Sequence, residues 1–176
     1  HVFLGLDVAA NELFDAQKSC YNMKSGCMEA EKLIEYYQQL CRNYPLLYIE
    51  DAFHEDDWLH FSQLTSLLPE KQIVGDDLFA TNDERLKMGI EKKAANTLLL
   101  KVNQIGTVSE ALKTAAMAKN NRFEITASLR SGETNDTFQA DLAVAVGAKQ
   151  MKLGSPVRGE RNGKYNRLMR IEDDLM

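Results

Sequence analysis

The chain alternates short apolar runs with longer segments of helical periodicity. Apolar runs begin at Leu46, Gln72, Thr97, Phe123 and Gln150, with successive starts about 26 residues apart. Between them lie amphipathic stretches. Ala30, Leu33, Ile34, Tyr37 and Cys41 recur at i, i+3, i+4 spacing and predict one helix face. Leu86 and Ile90 predict a second, behind Asn82 as N-cap. Thr107-Val-Ser-Glu110 is a capping box, opening a third helix with Ala111, Leu112 and Ala115 turned inward. Phe138, Leu142, Ala145 and Val146 predict a fourth.

The runs LLYI, QIVG, TLLLK, FEITAS and QMKLG are short and mostly apolar, as expected of parallel strands covered on both faces. With the leading Val2-Phe3-Leu4-Gly5-Leu6 run they make about six βα units. The predicted class is α/β, either a doubly wound sheet or about three-quarters of a βα barrel; unit spacing alone leaves both open.

Composition narrows the function classes. The 176 residues are 44% hydrophobic and 27% charged, enough for a real core. Twenty-six acids against 21 bases leave a net charge of −5, which argues against nucleic acid or a membrane surface as partner. No apolar run approaches the roughly 20 residues of a membrane span, and no secretory leader is expected. Cys20, Cys27 and Cys41 make an odd count without CxxC spacing, predicting unpaired thiols in a reducing cytosol.

The chemistry of an α/β fold gathers at the carboxyl ends of its strands. Here those ends carry Asp7, Glu50-Asp51, Asp76-Asp77, Lys101, Ser128-Leu129-Arg130-Ser131 and Lys152. A single acid after a strand commonly caps a helix. Three successive units ending in acids, followed by two lysines, point instead to a site, the competing reading being a structural ring of ion pairs. Convergent carboxylates repel unless a cation neutralises them, and hard oxygen donors without His or Cys favour Mg2+. A lysine beside a metal and a second lysine has its ammonium form destabilised and can serve as a base. Arg130 and Ser131, before Gly132, suit an anionic group such as phosphate. His54 and His60 are read as surface or interface residues, and Glu55-Asp56-Asp57 as the cap of the following helix.

These strand ends resemble those of the enolase (phosphopyruvate hydratase) family. Gly5-Leu6-Asp7, Tyr48-Ile49-Glu50-Asp51, Gly75-Asp76-Asp77-Leu78, Leu98 through Gly106 (LLLKVNQIG), Arg130 through Thr134 (RSGET) and Lys152-Leu-Gly-Ser-Pro156 follow the family's order. The closing stretch from Glu160 to Glu172 does likewise. The resemblance covers residues 1–176 and matches the C-terminal barrel part, so it implies an incomplete enolase-type barrel. An N-terminal domain and the first barrel strands are then expected to lie outside this sequence.

By resemblance, Asp7, Glu50 and Asp76 match the ligands of the catalytic Mg2+. Lys101 matches the base that removes the C2 proton of 2-phosphoglycerate. Lys152 contacts the substrate carboxylate, Arg130 and Ser131 bind phosphate, and Glu50, Asp76, Ser128 and Leu129 line the substrate. The implied activity is a carbon–oxygen lyase of glycolysis, cytoplasmic, acting on a small phosphorylated hydroxy acid and homodimeric as the full-length protein. Leu129 stands where the family motif has histidine and Ala52 where it has proline, and Ala9 to Gly26 keeps only the outline of a hairpin insertion. These departures carry the alternative, a catalytically impaired barrel acting as a structural or partner-binding module. The 176 residues by themselves are expected to be at best a feeble enolase.

Overall fold

A computed structural model describes residues 2–176. Strands β1 (Leu4–Asp7), β5 (Leu46–Glu50), β6 (Gln72–Gly75), β7 (Thr97–Leu100), β8 (Glu124–Ser128) and β9 (Gln150–Lys152) form one parallel sheet in that spatial order. The order runs monotonically with sequence. A doubly wound sheet reverses its order at a switch point, so the barrel alternative holds. The connecting helices are α1 (Ala30–Asn43), α2 (Trp58–Leu67), α3 (Asp83–Lys92), α4 (Val102–Ile105), α5 (Val108–Asn120), α6 (Phe138–Ala145) and the closing α7 (Gly159–Leu175). Between β1 and α1 the chain makes a short 3-10 turn and a three-stranded antiparallel sheet, β2 (Phe14–Asp15), β3 (Cys20–Met23) and β4 (Gly26–Met28).

Strand periodicity sorts the side chains onto two faces. Ile49, Ile73, Leu98, Leu100 and Ile125 point outward and join the helix stripes in one core with Leu33, Tyr37, Phe61, Leu86 and Ala111. The intervening positions point inward, a mix of small, polar and apolar residues: Gly5, Tyr48, Gln72, Val74, Thr97, Leu99 and Thr126. The sheet curls until the Lys152 ammonium reaches Asp7 across 145 residues, at 2.6 Å. Inside the curl, a cavity of about 330 Å³ is bordered by Gly5, Asp7, Tyr48, Thr126, Gln150 and Lys152.

The expected caps form as read. The Asn82 side chain accepts from the Glu84 and Arg85 amides, and Thr107 from the Glu110 amide. Asp57 caps α2 by accepting from the His60 amide. Other expectations need correcting. Leu112 and Phe138 are 44% and 43% exposed and Ala145 is exposed; Thr114 and Ala118 fill the buried face of α5, and Gln139, Ala140 and Ala143 that of α6. Apolar positions at a face boundary carry the same periodic signal as positions at its centre. His60 is half-buried rather than fully exposed, its ring 2.6 Å from Asp57 and 3.5 Å from Glu31, and it sits at the interface of α1 and α2.

Cysteine pairing differs as well. Cys20 and Cys27 are joined as a disulfide across β3 and β4, with Cα atoms 5.8 Å apart, and only Cys41 is free. Sequence spacing could not reveal this, because the pair depends on hairpin register.

Candidate functional site

Parity places the charged strand ends on the inner face. Asp7 follows Gly5 by two positions, Glu50 follows Tyr48, Asp76 follows Val74, Lys101 follows Leu99, Ser128 follows Thr126 and Lys152 follows Gln150. Register then aligns Asp7 with Glu50 and Ser128 with Lys152. One end of the curled sheet thus gathers side chains from all six strands.

Two ion-pair groups share this rim. Lys152 Nζ lies 2.6 Å from Asp7 Oδ2 and 2.8 Å from Glu50 Oε1. Lys101 Nζ donates to Asp76 Oδ2, whose other oxygen accepts from Gln104 Nε2 at 3.2 Å. Glu50 is 1% exposed and its second oxygen accepts from the Tyr48 hydroxyl. Burial raises the Glu50 pKa, while hydrogen bonds from Lys152 and Tyr48 pull it down. Burial works to lower Lys152, but its bonds to Asp7 and Glu50 outweigh that and hold the ammonium protonated. The Tyr48 phenol is pushed well above its ordinary range, first by burial and then by the charges of Glu50, Asp7 and Asp76. All three carboxylates therefore bear on one buried hydroxyl.

A second acidic group stands beside this one. Carboxylate oxygens of Asp51, Asp76 and Asp77 lie within 4.8 Å of one another. Both Asp51 oxygens already accept backbone amides, from Asp76 and Asp77, each at 2.9 Å. Asp51 thus acts as a bracket that turns the chain after β6 and aims Asp76 at the rim. Burial raises its carboxyl to about 7, against the pull of those two amides. Its backbone adopts φ 44°, a strained setting for a non-glycine residue.

Among the described residues the carboxylates whose oxygens converge within 4.8 Å are Asp51, Asp76 and Asp77, whereas Asp7, Glu50 and Asp76 share the rim as hard oxygen donors of the kind a divalent cation takes. Their charges are met here only by flexible lysine ammonium ions, and Glu50 is buried where an uncompensated charge is costly.

The remaining predicted residues fall outside these pairs. Ser128 is buried, its hydroxyl 3.2 Å from the Lys152 carbonyl and 3.3 Å from the Leu129 carbonyl. Among the described residues, Arg130 and Ser131 are exposed and bond to none of the five charged groups. Leu129 is half-buried and borders a separate cavity of about 450 Å³ with Val102, Phe138 and Gln139.

Sequence reasoning missed four supporting residues. Tyr48 and Gln104 bond the acids directly. Thr81 accepts from the Lys101 amide at 3.0 Å and lies 2.9 Å from Gln104 Oε1, fixing the end of β7. Asn11 donates to Glu55 and Asp77, each at 3.0 Å, tying the 3-10 turn to the rim. Tyr48 and Gln104 stood inside recognised motifs, and parity with Glu50 would have pointed Tyr48 inward; Thr81 and Asn11 gave no signal.

A curled parallel α/β sheet of six strands with acids and lysines at its carboxyl rim defines the class, an incomplete TIM-type barrel. The profile of the enolase C-terminal TIM barrel domain matches residues 1–176, and the chain belongs to that family. It is 50% identical over 175 residues to an enolase of Corynebacterium kroppenstedtii, which covers 99% of this chain and 41% of that protein. Enolases of Methanosarcina mazei and Methanocaldococcus jannaschii are each 51% identical over 174 residues, 99% of this chain and 40% of theirs. The chain thus spans about 40% of the length of these relatives.

Proposed function

We propose that this chain is the greater part of the active-site barrel of an Mg2+-dependent lyase that dehydrates 2-phosphoglycerate to phosphoenolpyruvate. The observation that carries the reading is the shared rim of three carboxylates and two lysines, on a chain half identical to enolases. Asp7, Glu50 and Asp76 are the residues that would hold the ion. Mg2+, when bound, supplies the charge that replaces lysine ammonium ions on these acids and offsets negative charge growing on the substrate carboxylate.

Lys101 is buried and mounted on a strand end fixed by Thr81, so its amine is directed without a large entropy loss. Freed from Asp76, it is the group placed to take the C2 proton. Lys152 keeps its proton, and its ammonium is the group that would hold the substrate carboxylate. Arg130 and Ser131, exposed and uncommitted to that network, are available to a phosphate. The glycolytic and cytoplasmic setting and a dimeric full-length protein belong to the same proposal.

Full-length protein with Mg2+ and 2-phosphoglycerate is expected to generate phosphoenolpyruvate absorbance. Lys101→Ala should lower the rate on the order of 10²–10⁴-fold, the usual contribution of a positioned base. No signal above blank with the parent protein sinks the reading.

Leu129 supports a second reading, a barrel impaired in catalysis and kept as a scaffold. Its side chain offers no hydrogen bond where the family motif has imidazole, and it borders a cavity it shares with Phe138 and with polar residues such as Asn103, Glu133 and Asp136. Leu129→His decides between them. A sharp rise in turnover favours a catalytic design; unchanged background activity favours the scaffold.

A further inference from the structure

We propose that Cys20 and Cys27 are a reversible redox modification site, a dithiol that closes by exchange with a low-molecular-weight disulfide such as oxidised glutathione. Register brings the pair together. Tyr21 faces Met28 and Asn22 faces Cys27, so Cys20 and Cys27 are diagonal neighbours on one face of the hairpin. Their Cα separation of 5.8 Å lies inside the span a disulfide bridges. They differ in access: Cys27 is exposed, whereas Cys20 is 4% exposed. An exposed cysteine beside a buried partner has the geometry of an attacking thiol with its resolving thiol.

The exchange runs in two steps. The Cys27 thiolate, having given its proton to water, attacks one sulfur of the small disulfide. That S–S bond breaks, and one small thiolate leaves with the bonding pair. The Cys20 thiolate then attacks the Cys27 sulfur and expels the second small thiol. The two cysteines lose two electrons and two protons, and the small disulfide is reduced to two thiols. Cys41 stays out of this chemistry. It is half-buried on α1, and burial raises its pKa, leaving it in the unreactive thiol form.

The hairpin connects to the rim. Tyr21, next to Cys20, is 1% exposed and its hydroxyl lies 3.1 Å from Asp57 Oδ2 while accepting from the His54 amide at 2.9 Å. Asp57 caps α2, and the same loop follows directly from Glu50. The Asn22 amide donates to the Leu13 carbonyl at 2.8 Å, next to the turn that carries Asn11 to Asp77. Closing the disulfide locks the hairpin that sets both tethers. This inference does not depend on the proposed lyase activity.

The test equilibrates the chain at graded ratios of reduced to oxidised glutathione, quenches with acid, alkylates and digests without reductant. Mass spectrometry is expected to find a Cys20–Cys27 linked peptide at the oxidising end and both residues alkylated at the reducing end. Cys41 should be alkylated throughout, and reversing the ratio should reverse the result. Absence of the linked peptide at every ratio, its persistence in excess reduced glutathione, or a link to Cys41 overturns the proposal. In C20S a glutathione adduct should form on Cys27 faster than on Cys20 in C27S; equal rates overturn the assignment of the attacking thiol. Hydrogen exchange of β3 and β4 amides should be roughly tenfold faster or more in the reduced chain, as removal of a short-loop cross-link promotes local opening. Identical exchange in the two states overturns the coupling.

Discussion

Glu50 is a carboxylate at 1% exposure held by partners of opposite kinds, the Lys152 ammonium on one oxygen and the Tyr48 hydroxyl on the other. The ammonium compensates its charge and the hydroxyl fixes its orientation. Gly5 of the neighbouring strand faces the Tyr48 ring, and an added Cβ there would meet the ring in ordinary contact at 3.4 Å. Tyr48→Phe keeps the ring and removes one bond to a buried charge. It is expected to destabilise the fold by about 1.5–3 kcal/mol, measured by denaturant unfolding, since bonds to charged groups are worth that much. The same variant should bind Mg2+ more weakly, because Glu50 loses the contact that orients it. The glutamate was legible in the sequence as a strand-end acid. Its tyrosine partner was not singled out, because an aromatic residue in an apolar run reads as core.

Among the helices of eight residues or more, α7 has the fewest buried residues, Lys164 alone among those described. What anchors it is polar. Lys164 Nζ donates to the Thr134 carbonyl at 2.8 Å and pairs with Glu133 at 2.6 Å. Arg167 forks onto Asp141 of α6 through Nε at 3.0 and 3.1 Å and Nη2 at 2.5 Å. The Arg167 guanidinium holds the Asp141 carboxyl below its usual value. A depressed folded-state pKa means the pair stabilises fully above the ordinary carboxylate pKa of about 3.9 and loses that contribution as pH falls through the folded value. Asp141→Asn should therefore lower the melting temperature modestly at pH 7. The difference from the parent should shrink as pH is taken from 7 to well below the ordinary carboxylate value of about 3.9, and raised salt should shrink it too because the pair is exposed. An equal difference at both pH values contradicts this account. Helix existence was readable from periodicity, and caps such as Asn82 and Thr107 from residue type. Inward and outward assignments at Leu112, Phe138 and Ala145 were not, because neighbouring elements decide which edge of an apolar stripe is covered.

At the scale of the whole molecule, the curl of the sheet brings β1 and β9, its two edges, within reach of one lysine. Lys152 joins Asp7 and Glu50 across 145 and 102 residues of sequence. Lys152→Met removes the cation and leaves Glu50 buried without it. Breaking one side of a buried pair costs about 3–5 kcal/mol, and the half-exposed Lys152 places this case toward the lower end. Thermal unfolding with and without Mg2+ measures it: the variant should melt lower than the parent, and Mg2+ should recover part of the loss by taking the vacated charge-compensating role. No helix of the described residues is long and apolar enough to cross a membrane, in keeping with the charge pattern.

The sequence by itself determined the α/β class, five of the six strand starts to within a residue, the capping positions and the strand-end acids and lysines. Each of these follows from local periodicity or local chemistry, which a linear pattern carries in full. The incomplete barrel was implied by the motif resemblance but not by unit spacing, which is the same in both candidate folds; the tertiary structure bore it out through its strand order. Only the tertiary structure decided that Lys152 serves Asp7 and Glu50 while Lys101 serves Asp76, that Asp51 brackets the next strand's end, and that Cys20 meets Cys27. All of these depend on register and on contacts between residues far apart in sequence, which close only when the whole sheet has formed.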